Sequence, residues 1–331
     1  MSDQSVMPPV LSLGLAARIR QIWQAKAPGI GASLGAPTAA ILVFLLIWHG
    51  LAPRVQTSLG ELPGPAQVFG EFISLMEEHQ MEREKADRFY VRQAERSAAW
   101  VAEDPTYVPV VAEWTGKPTF IDQIFTSLKT VFAGFALATI IAIPLGLLCG
   151  SSAIMQNALN PLIQTFKPVS PLAWLPIVTL IVSAMYTNND AWLPKSFLVS
   201  AITVMLCSLW PTVINTALGV ASVDRDLINV ARVLQLSWTK RIRKIVLPAA
   251  MPLIFTGMRL SIGVGWMVLI AAEMLAQNPG LGKFVWDEFQ NGSAQSLGRI
   301  LVAVLTIGLI GFVLDRLMLS VQRLVSSGDA R

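Results

Sequence analysis

Six apolar runs alternate with polar stretches along the chain, at residues 36–53, 128–150, 172–187, 196–220, 249–275 and 298–320. A helix needs roughly 20 residues to cross a hydrocarbon core of about 30 Å, and most of these runs are long enough. The third is the shortest, with Pro168, Pro171 and Pro176 crowded around its start. The pattern predicts an all-α polytopic membrane protein with about six transmembrane helices.

Composition agrees with that class. Of 331 residues, 53% are hydrophobic and 14% charged, and the mean hydropathy is +0.57. Soluble globular chains carry far more charge. No cleavable signal peptide is expected, because the first apolar run begins after a polar arm of about thirty-five residues without a basic, apolar, small-residue order.

The Lys and Arg residues orient the spans. The segment 224–248, DRDLINVARVLQLSWTKRIRKIVLP, holds Arg225, Arg232, Lys240, Arg241, Arg243 and Lys244 against only Asp224 and Asp226. A short loop this basic faces the cytoplasm. Six spans then place both termini inside, with Arg18, Arg20 and Lys26 in the arm and Arg316, Arg323 and Arg331 at the other end. The short external connections hold mainly Lys195, Lys283 and Arg299. The chain so divides into a cytoplasmic arm 1–35, a first span 36–53, an external insert 54–127, a core of about five spans over 128–320 with a cytoplasmic loop at 221–248, and a cytoplasmic tail 321–331. The net charge of +4 records this orientation and not affinity for nucleic acid.

The basic loop is patterned as well as charged. Leu227, Val230, Ala231 and Leu234 recur at helical spacing, while Arg225, Asn229 and Arg232 fall on another face. Such an amphipathic helix can lie on the membrane or dock into a soluble protein. The run Ile245-Val246-Leu247-Pro248 reads as its stop.

The insert contains a charged stretch at 71–104 that is free of Gly and Pro. Glu84–Arg88 and Arg83–Asp87 sit at i,i+4, as on a solvated helix, with Phe72, Leu75, Met76 and His79 forming a weak apolar stripe. It reads either as a spacer or as a docking surface for an external protein.

Chemistry of the chain's own is not in view. Cys149 and Cys207 stand far apart in apolar runs, and His49 and His79 each stand alone. No GxxxxGK(S/T) or GxGxxG pattern offers a phosphate site. No catalytic group, metal site or cofactor is expected, and any work must draw its energy from elsewhere. Ionisable groups within spans remain as candidates. Arg259 lies some 16 Å along the fifth span from Pro248, and Asp315 lies near the inner end of the sixth, so a structural ion pair between them is expected. Glu273, near the outer end of the fifth span, reads as a structural or gating residue.

At this point a family resemblance appears. The cytoplasmic loop of bacterial ABC importer permeases carries EAA, three residues, Gly, nine residues, then I-x-LP. In this chain Asn229-Val230-Ala231 stands at EAA, Gln235 at the Gly, and Ile245, Leu247 and Pro248 at the end, with the spacing kept. The stretches SLWPTVINTALGV at 208–220, LPAAMPLIFTGMRLSIGVGWMVLIAAEML at 247–275 and IGLIGFVLDRLM at 307–318 resemble permeases of the nitrate/nitrite importers and their bicarbonate and cyanate relatives. In that branch the NVAR form of the loop is usual.

The resemblance implies a type I ABC importer permease core in a bacterial inner membrane. It implies a homodimer of permease subunits, cytoplasmic ABC ATPase subunits that supply the energy, and an external solute-binding protein or domain. Leu227, Asn229, Val230, Ala231, Leu234, Gln235, Ile245, Leu247 and Pro248 would then form the ATPase contact, with 224–240 as a helix seated in an ATPase groove. For a small anion, Trp210, Thr212, Asn215 and Thr216 on the fourth span are candidate hydrogen-bonding groups, and Trp174, Met185 and Trp266 candidate lining or gating groups. Interfacial anchoring or helix packing accounts equally for the aromatic residues. The cargo is nitrate or nitrite on this reading, with bicarbonate, cyanate and sulfonate or taurine as alternatives. A secondary transporter would need coupling acids or repeated broken helices, and a membrane enzyme a polar cluster at depth; neither pattern is seen.

Overall fold

A computed structural model of the chain describes residues 30–57, 60–104, 106, 108–186, 193–293 and 295–326. Arg18, Arg20, Lys26 and Arg331 lie outside the described residues. The chain divides into two units, Met1–Pro65 and Ala66–Arg331.

The first unit holds α1 (Ile30–Leu51), a 3-10 turn at Ala52–Arg54, and a minimal hairpin of β1 (Gln56–Thr57) and β2 (Gly60–Glu61). The hairpin strands are antiparallel, with Gln56 opposite Glu61 and Thr57 opposite Gly60. Ile41, Leu42, Phe44, Leu46 and Ile47 are all exposed along α1. A helix apolar all round is suited to lipid or to a helical partner. Trp48 anchors the turn by donating its indole N–H to Pro63 O at 3.2 Å.

The second unit opens with α2 (Pro65–Glu103), 39 residues and about 58 Å long. The charged helix therefore begins six residues before the stretch read from the sequence. Glu84 and Arg88 pair at 3.7 Å across one turn. Arg83, by contrast, passes over Asp87 and bonds to Asp122, in the first turn of the next helix. A rigid carboxyl group on a neighbouring element displaces the i,i+4 partner, because such local pairs stabilise by only a few tenths of a kcal/mol.

Ten further elements follow among the described residues, and three of them build the core. α3 (Phe120–Ser151) starts at a capping box in which Thr119 and Asp122 satisfy each other's backbone N–H groups. α6 (Lys195–Ala221) packs between α3 and α9 (Leu247–Ala276). Small residues let these backbones approach. A Cβ on Gly146 of α3 would lie 2.4 Å from Thr216 Cβ, and one on Gly257 of α9 would lie 2.9 Å from Pro211 O. α10 (Leu281–Asn291) caps the far end, and α11 (Ser296–Ser326) runs along α9.

The third apolar run departs from the expected single span. α5 (Pro171–Met185) has 15 residues, about 22 Å, too short to cross alone. It passes the test for a span only with α4 (Ala153–Phe166), from which it is bent by 100°. The cause is written in Lys167-Pro168-Val169-Ser170-Pro171: two prolines remove backbone donors, and residues before proline avoid the α region. Packing identifies the pair as one broken span. Ile163 of α4 contacts the cluster around Ala142 and Val213, while Leu175, Val178 and Val182 of α5 pack on Val199 at the opposite end of α6 and on Ala272. A hairpin returning to the same side would bring α5 back beside Val213. Five helices among the described residues are long and apolar enough to cross a membrane alone, and the bent pair, counted as one span, brings that number to six.

Candidate functional site

The loop between α6 and α9 folds as two short helices and a widened turn. α7 (Arg225–Val233) is capped by Asp224, whose side chain accepts from Asp226 N at 2.8 Å. It ends in a Schellman motif: Leu236 N–H bonds to Ala231 O and Gln235 N–H to Arg232 O, both at 3.0 Å. That closure requires a left-handed residue, and Gln235 has φ of +46°. This is the position at which the family pattern has glycine, the residue that adopts positive φ without steric cost.

The predicted helix over 224–240 is therefore broken at Leu234. α8 (Trp238–Arg241) restarts it, and a π turn at Ile242–Val246 runs into α9. Pro248 does not stop the segment. It sits in the first turn of α9, where a missing N–H costs little. Leu247 N–H reaches back five residues to Ile242 O, the π pattern.

The apolar residues of α7 divide between two directions. Ala231 is 1% exposed, and Ile228 packs against Val220, Val246, Ala250 and Ile254. Leu227, Val230, Val233 and Leu234 stay uncovered, Val230 at 52% and Val233 at 83%. The expectation that Ala231 shares the outward face is corrected. It is buried within this chain, whereas Val230 and Val233 beside it are not. Val233 and Trp238, both exposed, extend the outward face beyond the residues read from the sequence. Asn229, Gln235 and Pro248 are exposed, Ile245 is half-buried, and Leu247 packs into the core cluster. An apolar group of this size on a loop rimmed by Arg225, Arg232 and Lys240 marks an interaction site.

The seven pathway candidates do not converge on one cavity. Thr212 is buried at the α6–α9 crossing, its hydroxyl 2.7 Å from Ser261 Oγ. Thr216 is buried against Gly146. Asn215 donates to Pro211 O at 2.8 Å within its own helix. Trp266 is buried and donates to Ile307 O of α11 at 2.9 Å. Thr212, Thr216 and Trp266 thus join helices of one protomer. Trp174 and Trp210 do meet, through Phe166 at the end of α4, with ring centroids 5.7 and 6.5 Å from it. Met185 is exposed at the end of α5.

Arg259 and Asp315 come together as a two-pronged pair, Nε to Oδ1 at 2.6 Å and the second guanidinium nitrogen to Oδ2 at 2.8 Å. Glu273 is fully buried: Ser127 Oγ lies 2.9 and 2.8 Å from its carboxyl oxygens, and Gly282 N–H donates to Oε2 at 3.0 Å. It holds α3, α9 and α10 together and faces no cavity.

A second polar centre escaped the sequence reading. Arg299 of α11 is held by Glu78 and, at 3.5 Å each, by Glu71 and Glu288. It clamps the base of α2 to the α10–α11 corner. Only the run Gly-Arg at the start of an apolar stretch hinted at it. Among the described residues no three His, Cys, Asp or Glu side chains are placed to hold a metal ion.

Residues 142–327 match the family described as binding-protein-dependent transport system inner membrane component. The chain is 39% identical over 209 residues to the nitrate import permease protein NrtB of Synechocystis sp., covering 63% of this chain and 71% of that one. It is 34% identical over 302 residues to the bicarbonate transport system permease protein CmpB of Synechococcus elongatus, covering 91% of each. In fold it resembles the MetNI methionine ABC transporter in an inward-facing conformation, with a TM-score of 0.53 at 12% identity over 62% of this chain and 95% of that one. A family matched across more than half of the chain, on an all-α architecture of membrane-crossing helices, makes this protein an ABC transporter permease of the binding-protein-dependent inner membrane component family.

Proposed function

We propose that this permease carries a small inorganic anion, nitrate or nitrite first, into a bacterial cell as a homodimer driven by two cytoplasmic ATPase subunits and fed by an external solute-binding protein. The observation that carries the coupling role is the uncovered face of Leu227, Val230, Val233, Leu234 and Trp238 beside a basic rim. A loop that served only to set topology would need the charges and not the apolar face. ATP-driven closure of the ATPase pair pulls α7, and because Ile228 packs on the α6–α9 core, that motion passes to the spans. The Arg259–Asp315 pair ties α9 to α11 so that they move together.

The anion follows from kinship with permeases named for nitrate and for bicarbonate. Bicarbonate is the second reading, favoured by the longer alignment. Uptake of labelled nitrate, nitrite, bicarbonate, cyanate and taurine by the complex reconstituted with its ATPase and binding protein tests this. We expect competition among the inorganic anions and none from taurine; import of taurine alone overturns the anion assignment.

With the basic loop inside, the insert is external and both termini are cytoplasmic. Cysteine in place of Arg88 is expected to react with an impermeant thiol reagent from outside, and cysteine in place of Lys240 only from inside. The reverse pattern sinks this orientation.

A further inference from the structure

The inner half of the broken span carries a polar stripe that the coupling role does not use. Gln156, Asn160, Gln164 and Lys167 follow one another at intervals of four, four and three along α4, one face of a helix. All four line a cavity of about 210 Å³ whose opposite wall is the C-terminal half of α6, including Val213 and Ala217. The other face of α4 is apolar, with Ile154 and Leu162 exposed. All four polar side chains are exposed, so the cavity they line is open to water.

Lys167 closes the stripe at the break. Its N–H bonds to Ile163 O at 2.9 Å, which ends α4 and sets the side chain at the head of the cavity. No Asp or Glu lines this cavity, and Lys167 is in none of the ion pairs among the described residues. The contrast with the opposite end of the protein is direct. The cavity of about 190 Å³ beside Arg299 balances Lys85, Lys117 and Arg299 with Glu78, Glu82 and Asp287. Lys167 is exposed at the mouth of an uncompensated cavity, and its charge is free to meet an anion there.

We infer that the α4–α6 cavity is a binding station for a monovalent oxyanion, with Lys167 supplying the charge and Gln164, Asn160 and Gln156 the hydrogen-bond donors along the way to the coupling end. Gln164 Nε2 lies 3.4 Å from Asn160 Oδ1, so these two amides stand within reach of one bound acceptor. One cation and neutral donors bind weakly enough to release the ion, as conduction requires. The cavity has room for such an ion with part of its water shell.

This inference rests on the anion-importer reading. Its test is uptake of labelled nitrate and bicarbonate by the reconstituted complex carrying Lys167→Arg, Lys167→Gln or Gln164→Glu. Arginine keeps the charge and is expected to hold uptake within about twofold, whereas glutamine is expected to lower it about tenfold. Gln164→Glu neutralises the lysine without removing it and is expected to cost a similar factor. ATPase subunits should copurify with all three, and binding-protein-stimulated hydrolysis should persist, which a misfolded permease would not support. Should Lys167→Gln fail to assemble, Gln164→Glu alone still decides. Wild-type uptake from Gln164→Glu, or from an assembled Lys167→Gln, overturns the station and leaves the importer standing. Failure of the wild-type complex to import either anion removes the reading beneath it.

Discussion

Exchanging Val230 for aspartate is expected to abolish anion uptake while leaving the permease inserted and folded. Val230 is half exposed at the centre of the outward face of α7, so in the isolated chain the new carboxylate stays in water. Surface substitutions of this kind shift stability by about 0.5 kcal/mol or less. Docked in an ATPase groove, the same carboxylate would be buried without a partner, which costs about 3–5 kcal/mol. At 1.4 kcal/mol per decade that is roughly a hundredfold to several thousandfold loss of affinity. The measurement is copurification of the ATPase subunits together with uptake in proteoliposomes, with Arg243→Gln as a mild control beyond the docked helix. Ala231→Arg is the wrong probe. Its side chain would start from a position that is 1% exposed, and a transport defect there would report damage to the loop itself. If Val230→Asp retained both ATPase association and uptake, the loop would be a topology signal alone.

The difference between those two neighbours shows where reading from sequence stops. Spacing placed Val230 and Ala231 on one arc of α7, which is correct as geometry. Yet α7 is apolar around most of its circumference, with Leu227, Ile228, Val230, Ala231, Val233 and Leu234 in eight positions. Which part faces the chain is decided by Val220, Val246 and Ala250, and no periodicity within the helix contains that information. The Arg259–Asp315 pair was legible because a helix has a fixed rise, so two positions on antiparallel spans can be compared in depth. Arg299 was not, because Glu78 lies 221 residues away on an insert helix whose docking no local rule specifies. The packing partners of Thr212 and Thr216 were not legible, for a chemical reason. Small polar residues in membrane helices serve close packing as readily as they serve a pathway, and the glycines facing them, Gly257 and Gly146, mark which use applies. The break at Lys167–Ser170 was visible in its prolines; that it stands between two halves of one crossing emerged only from what each half packs against.

Gly282→Ala is expected to unfold the outer corner of the permease. A Cβ at Gly282 would stand 2.2 Å from Ile270 O and 2.9 Å from Glu273 Cβ. The first of these is backbone in the middle of a packed span, so α10 would have to lift away from α9. Lifting α10 breaks the Gly282 N–H bond to Glu273 Oε2 and pulls Leu281 N–H from Ser127 Oγ, where it now lies at 2.9 Å. Glu273 is fully buried, so no water can replace the lost donor. Overpacking of this kind costs about 1–3 kcal/mol, and a buried polar group left short of a partner about 1–3 kcal/mol more. Together these predict a fall in melting temperature on the order of 10 °C for the detergent-solubilised chain. Gly308→Ala is the matched control: it lies inside α11 with nothing within 4 Å of its added Cβ, and alanine is the better helix former. The Gly308 variant should melt at or slightly above the wild-type temperature. Equal melting of the two variants would mean that the contact of α10 with Ile270 and Glu273 does not hold the corner closed.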